Sequence, residues 1–206
     1  SERLTVGGGL TVAAIGECLG RWLPDGDPLV AYPPLLADPA LAGRLRGSLT
    51  GSIDLVLRLP AVRPAGDGVG PDGAGSGGAG SGGIGVDGAD RFVVVDYKTN
   101  RLAPAGEPLT AWHYRQEALT AAMVDAHYPL QALLYSVALH RYLRWRLPGY
   151  QPGRHLGGVL YLFVRGMVGA DAPSAGDGSP GVFSWSPPPG LIVELSELFD
   201  LGIPAA

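Results

Sequence analysis

Lysine is almost missing from this chain. Its 206 residues include 15 cations, of which Lys98 is the sole lysine and all the others are arginine. Cysteine is as scarce: Cys18 stands alone, which excludes an internal disulfide, a cysteine zinc site or an iron–sulfur cluster built by this chain. That usage agrees with a reducing compartment. No run of about 18 apolar residues occurs, so no membrane-spanning helix is expected, and the Ser1-Glu2-Arg3 start carries no secretory pattern. The phosphate-loop motif G-x-x-x-x-G-K-[ST] is absent, and Lys98 cannot complete one, so this chain has no P-loop ATPase site. Excess positive charge is lacking too. A net charge of -4 and a pI near 5.5 give no bulk attraction to nucleic acid or to an anionic membrane. Any polyanion would have to be bound through a local patch or a metal. These absences leave a soluble, cytoplasmic protein, and its Met-less start reads as that of a fragment of something larger.

What is present is an apolar β-branched run that ends in charge, Phe92-Val93-Val94-Val95-Asp96-Tyr97-Lys98-Thr99-Asn100. The run reads as a buried strand, and alternation puts Asp96 and Lys98 on one face with Val95 and Tyr97 on the other. A chain that writes arginine elsewhere has kept a lysine here. An ammonium is a compact donor suited to proton work, whereas a guanidinium is locked in its charged form. Hydrophobic residues make up 46% of the chain, which suits one folded α/β domain.

Upstream, Leu10 to Trp22 reads as a helix with a stripe of Leu10, Ala13, Ala14 and Glu17-Cys18, interrupted at Gly16. Gly47–Leu59 reads as a strand or bent hairpin arm with Gly51 a candidate bulge and Asp54 in its middle. Residues 63–90 turn abruptly to glycine, alanine, serine and aspartate. Such a tract cannot bury enough apolar surface to offset its ordering entropy, so a disordered insertion is expected in the turn of a β-hairpin. Closing that hairpin would bring Asp54 near Asp96. Further on, Thr110 is placed to cap a helix through Trp112, Gln116, Leu119 and Met123. Pro129 opens a longer helix over 129–146, with Leu130, Leu133, Leu134, Val137, Ala138 and Tyr142 as its apolar stripe and Pro148-Gly149 as its stop. Gly158–Val164 is a continuous apolar strand, expected to be central. A polar loop over 166–180 leads to an edge strand at Val182–Trp185, and Leu191–Leu201 closes as an amphipathic helix. The order predicts an α/β sheet flanked by helices.

Two carboxylates and a lysine suit a magnesium or manganese ion, which takes hard oxygen ligands and leaves positions for water and phosphate. Taken alone, Asp96-x-Lys98 reads more readily as an ordinary ion pair at a strand end, and Gln131 with Tyr135 more readily as a surface glutamine and a packed tyrosine four residues apart. Four runs together go further: Gly51-Ser-Ile-Asp54-Leu-Val, Val95-Asp96-Tyr97-Lys98-Thr99-Asn100, Tyr128-Pro-Leu-Gln131-Ala-Leu-Leu-Tyr135, and Gly157-Gly-Val-Leu-Tyr161-Leu-Phe-Val-Arg165-Gly166. In this order they resemble the RecB-type nuclease domain of exodeoxyribonuclease V, a branch of the PD-(D/E)XK superfamily, over residues 47–201.

The resemblance implies a restriction-endonuclease-like mixed sheet, with residues 47–206 as the nuclease core and 1–46 as a peripheral segment of the same domain. It implies that Asp54 and Asp96 bind metal together with the main-chain carbonyl of Tyr97, and that Lys98 is catalytic. It implies that Gln131 and Tyr135, as a Q-x-x-x-Y element, position DNA or the catalytic groups. The activity implied is Mg²⁺-dependent (Mn²⁺ possible) DNA hydrolysis in double-strand break repair, with RecC- and RecD-like subunits as partners. A stand-alone endonuclease of the same superfamily, or a nuclease-inactive docking module, are the alternative readings. The family's metal-binding histidine lies upstream of the first aspartate, whereas His113, His127, His140 and His155 all follow Asp54. That ligand is expected in a segment preceding Ser1, or to have been lost. Arg141, Arg144, Arg146, Arg154 and Arg165 could contact phosphates, form a solvated helix end or dock a partner. Trp112, Trp145 and Trp185 are expected to be buried in the core or at an interface more readily than to stack on bases. His140 is expected to be a packed or surface helix residue.

Overall fold

A computed structural model describes residues 4–6, 10–41, 47–49, 51–61, 88–169 and 178–201. Its centre is the predicted β-branched run, which forms strand β4 (Arg91–Lys98), with β3 (Leu55–Leu59) before it and β5 (Leu156–Phe163) and β6 (Val182–Trp185) after it. The sheet order is β3-β4-β5-β6, antiparallel, then parallel, then antiparallel. The mixed α/β sheet flanked by helices is therefore as expected, with β5 internal and β6 at an edge. A separate short ribbon pairs β1 (Leu4–Val6) with β2 (Gly47–Leu49). The segment expected as one arm from Gly47 to Leu59 is thus split between two sheets. Asp54 lies in no strand: it immediately precedes β3.

Register places Val94, Asp96 and Lys98 of β4 beside Val159, Tyr161 and Phe163 of β5, which continue to Phe183 and Trp185 of β6. This inner face carries most of the sheet's share of the apolar core. It is covered by the helices of the β4-to-β5 crossover, against which α5 (Pro189–Leu201) packs in turn. In that crossover a 3₁₀ turn at Ala111–Tyr114 precedes α2 (Gln116–Asp125) and α3 (Tyr128–Arg146), so the single helix expected after Thr110 is broken at Arg115. α4 (Pro152–His155) is a short turn leading into β5.

The α2–α3 corner is made by His127, whose φ of 52° is the sole positive value at a non-glycine residue among the described residues. Histidine tolerates this region better than most side chains, and Tyr32 O–H lies 3.1 Å from His127 Nδ1. The N-terminal segment thereby holds the corner from which α3 departs. α3 buries Ala132, Leu133, Ser136, Val137, His140 and Leu143, whereas Leu130, Leu134 and Ala138 are half-buried and Tyr142 is exposed. The stripe is rotated from the expected one because α3 packs against both the sheet and α5.

α1 (Val12–Trp22) is capped by Thr11, whose hydroxyl accepts from Ala14 N–H at 3.1 Å. Its buried set is Val12, Ile15, Gly16, Cys18 and Leu19, with Glu17 exposed. Gly16 does not break the helix. It permits close packing, since a Cβ there would lie 2.9 Å from Pro33 O and 3.0 Å from Leu36 Cβ. Burial, then the neighbouring Glu194, raises the Cys18 thiol to about 12.

β3 and β4 form the expected hairpin. Its base is tied by Asp90, which accepts from Arg58 Nε at 2.7 Å and from Ala61 N–H at 3.0 Å. The glycine-rich insertion expected over 63–90 falls mainly on 62–87, outside the described residues. Among the described residues no helix is long and apolar enough to cross a membrane.

His140 is 3% exposed, with Nδ1 2.9 Å from Tyr150 O–H and Nε2 buried without a hydrogen-bond partner. Burial, then Arg144 and Arg141, lowers the imidazole from 6.5 to about 4. Protonation therefore favours the unfolded chain: this contribution to stability is whole above about 6.5 and is lost as pH falls toward about 4. Thermal unfolding across that window should show a falling Tm for the unsubstituted chain and a shallower fall for His140→Phe. Parallel slopes would contradict the assignment.

Candidate active site

The inner face of β4 turns from apolar to charged at its last three residues, next to the parallel strand β5. Carboxyl ends of parallel strands are where open α/β sheets place ligands. Asp96 is 4% exposed. Its Oδ2 lies 2.7 Å from Lys98 Nζ, an ion pair outside hydrogen-bonding alignment, so Oδ2 is buried without a hydrogen-bond partner. Both side chains are largely withdrawn from water. A buried pair of this kind depends on its remaining partners to offset desolvation.

Those partners come from α3. Lys98 Nζ donates to Gln131 Oε1 at 2.9 Å. Gln131 Nε2 donates to Tyr135 Oη at 3.0 Å, and Tyr135 O–H donates to Ser52 O at 2.8 Å. The last bond reaches the segment that carries Asp54. Gly51 lies against the same ring, a Cβ there being 3.4 Å from Tyr135 Cε1.

Asp54 completes the cluster from the β3 side. The β3–β4 register pairs Leu55 with Val95, and one step further stands Asp54, whose Oδ2 accepts from Tyr97 N–H at 3.1 Å. That hydrogen bond joins residues 43 apart in the chain. Tyr97 sends its side chain to the other face, 48% exposed, as alternation predicted. The two carboxylates are felt together by the nearby phenols. Burial is the main cause that raises Tyr135; the Gln131 hydrogen bond opposes it, and Asp96 and Asp54 add to it. Tyr161 is raised far more, by burial first and then by Asp96, with Asp54 among the smaller causes.

Asp54, Asp96, Tyr97, Lys98, Gln131 and Tyr135 are therefore gathered at one strand end. Sequence reasoning assigned no role to Tyr128 and Tyr161, whose rings lie 3.8 Å and 5.1 Å from Lys98 Nζ. Tyr128 was within reach of helical spacing, being three residues ahead of Gln131 on the same side of α3. Tyr161 needed the β4–β5 register, which pairs it with Asp96.

The histidines are occupied elsewhere: His113 with Thr110, His127 with Tyr32, His140 with Tyr150 and His155 with Gln151. Among the described residues no group of three or more His, Cys, Asp or Glu side chains is placed to hold a metal. Arg141 is bonded to Ser196 and Asp200 of α5, whereas Arg165 donates to Thr99 O at 2.8 Å beside the candidate site. Trp185 is buried and donates to Asp27. Trp112 and Trp145 are 64% and 70% exposed, so neither lies in the core of this chain, and each has an arginine over its ring.

Fold and site define an α/β protein with two aspartates and a lysine at the carboxyl end of a central strand. Its curated relatives are subunits of one enzyme. The chain is 46% identical over 192 residues to RecBCD enzyme subunit RecB of Mycolicibacterium smegmatis, covering 92% of this chain. It is 46% identical over 194 residues to that of Mycobacterium tuberculosis and 34% identical over 189 residues to that of Escherichia coli. The chain is homologous to a segment of RecB: it spans 15%, 15% and 13% of those three proteins. No family model matches it.

Removing one member of a buried ion pair strands the other. Lys98→Met should lower unfolding free energy by about 3–5 kcal/mol in urea denaturation. Adding Asp96→Asn should restore much of that loss. A double variant less stable than Lys98→Met would show that the pair is not the coupled unit described.

Proposed function

We propose that this chain is the nuclease part of a RecB-type helicase–nuclease, hydrolysing phosphodiester bonds in DNA with Mg²⁺, or Mn²⁺ in its place. The observation that carries the reading is the convergence of Asp54, Asp96 and Lys98, with Gln131 and Tyr135 behind them, from three separate segments onto one strand end. A structural ion pair needs no second carboxylate. A nuclease does, because it must hold a cation against a polyanionic substrate in a protein of net charge -4.

The donor set fits such an ion. Asp96 Oδ2 is buried without a hydrogen-bond partner, Asp54 is held through Oδ2 to a backbone N–H, and both offer hard oxygens. Asp54, Asp96 and the main-chain carbonyl of Tyr97 are the groups that would hold it, the other positions falling to water and phosphate. Magnesium supplies, when bound, charge neutralisation at phosphate and a more acidic water. Lys98 meanwhile presents an ammonium beside the reacting phosphate, where it counters charge that develops in the transition state. Gln131 fixes the direction of that ammonium, and Tyr135 ties α3 to the Asp54 segment, so the two halves of the site stay in register.

Kinship with RecB supports a place in a cytoplasmic DNA-repair and recombination complex with RecC- and RecD-like subunits, acting on single strands released by unwinding. The test uses the full-length protein with those subunits and end-labelled single-stranded DNA. Asp96→Ala and Lys98→Ala should each abolish Mg²⁺-dependent cleavage, a loss of at least about 100-fold, while ATP-driven unwinding persists. Undiminished cleavage by either variant would overturn the reading.

A further inference from the structure

We propose that Tyr128 and Tyr161 are positioning residues for Lys98, forming an aromatic clamp that aims its ammonium at the reacting phosphate. The catalytic use of the clamp rests on the nuclease reading above; its geometry does not.

A lysine has a flexible four-carbon stem and gives up substantial rotamer freedom when it is held in one pose. Here four groups hold it. Tyr128, the first residue of α3, lays its ring 3.8 Å from Nζ. Tyr161, on the neighbouring strand, stands 5.1 Å from Nζ, and the two rings stack with centroids 5.8 Å apart and planes 25° from parallel. Gln131 Oε1 and Asp96 Oδ2 supply the polar contacts at 2.9 Å and 2.7 Å. A cation over an electron-rich ring is attracted by the ring's quadrupole, more strongly where water is excluded.

The clamp is itself held. Tyr128 O–H donates to Asn100 Oδ1 at 3.2 Å, and Asn100 O accepts from Tyr114 O–H at 2.8 Å. The ring is thus pinned at its far end by a residue two positions beyond the lysine it supports. Tyr161 O–H faces Gln131 Oε1 at 3.1 Å and Tyr128 O at 3.3 Å. Both are acceptors, so the phenol is the donor. That bond fixes the Gln131 amide with its oxygen toward Lys98 and its nitrogen toward Tyr135. Tyr161 therefore acts twice, by its ring on Lys98 and by its hydroxyl on Gln131.

Lys98 is the sole lysine of the chain, so lysine-selective ¹³C labelling gives one ε-methylene signal without assignment. In the full chain that signal should lie upfield of a solvent-exposed lysine, remain there in Tyr128→Phe, and return to the exposed position in Tyr128→Leu. In cleavage assays of the full-length protein, Tyr128→Leu should lose roughly tenfold to thirtyfold in kcat with KM for DNA unchanged. Tyr128→Phe should stay within about threefold of the unsubstituted protein, since it loses only one hydrogen bond. If Tyr128→Leu does not fold, Tyr161→Phe serves instead. It keeps both rings, removes the donor to Gln131, and should lose about threefold to tenfold in kcat alone. An unshifted signal in the unsubstituted chain overturns the clamp. So does full kcat in Tyr128→Leu or, where that variant does not fold, in Tyr161→Phe. Absence of cleavage by the unsubstituted protein overturns the nuclease reading, while the resonance still decides the geometry of the clamp.

Discussion

An ion pair buried at the end of an apolar strand is the constraint from which the rest of this structure follows. Asp96 and Lys98 occupy positions that alternation assigns to the core face of β4, where Val94 precedes them. Burial there costs several kcal/mol per ion, and the mutual attraction does not guarantee a net gain. Apolar residues of similar volume at these two positions would commonly be as stable or more so. The groups around Lys98 read as compensation: a glutamine oxygen and two aromatic faces. Natural proteins break local rules in this way at functional sites and recover the stability elsewhere.

Elsewhere, here, is the scaffold that holds three segments in register. The β3–β4 hairpin carries Asp54 to β4, with Asp90 closing its base. The α2–α3 corner fixes where α3 begins, hence where Tyr128 and Gln131 stand, and Tyr32 holds that corner from the N-terminal segment. Tyr135 then bonds α3 to Ser52, closing a loop of contacts from hairpin to helix and back. An error at the corner would be carried to Lys98 through Gln131. The links are hydrogen bonds and rings, which have direction where apolar contacts alone do not, and this suits the placement that the proposed chemistry demands.

Much of this was legible in residues alone. A β-branched run ending in Asp-x-Lys, the period-two alternation and the lone lysine marked β4 and half of the site. Closure of the hairpin brought Asp54 to Asp96, and resemblance to the RecB-type domain supplied Gln131 and Tyr135 as companions. Less legible was what depends on partners distant in sequence. The buried face of α3 is rotated because the helix touches both sheet and α5, so Tyr142 is exposed and His140 buried. Gly16 looked like a break until Pro33 and Leu36 were seen packed against it. The single helix expected after Thr110 divides because Arg115 takes an extended conformation. Tyr161 had no visible role because only the β4–β5 register sets it beside Asp96.

The central claim is that Asp54 and Asp96 form one cation site together, and calorimetric titration of the chain with Mn²⁺ tests it most directly. Saturable binding to the unsubstituted protein, weakened by Asp54→Asn or Asp96→Asn singly and no weaker again when both are replaced, is the expected result. Binding that persists unchanged in the doubly substituted chain, or losses that simply add, would contradict a shared site.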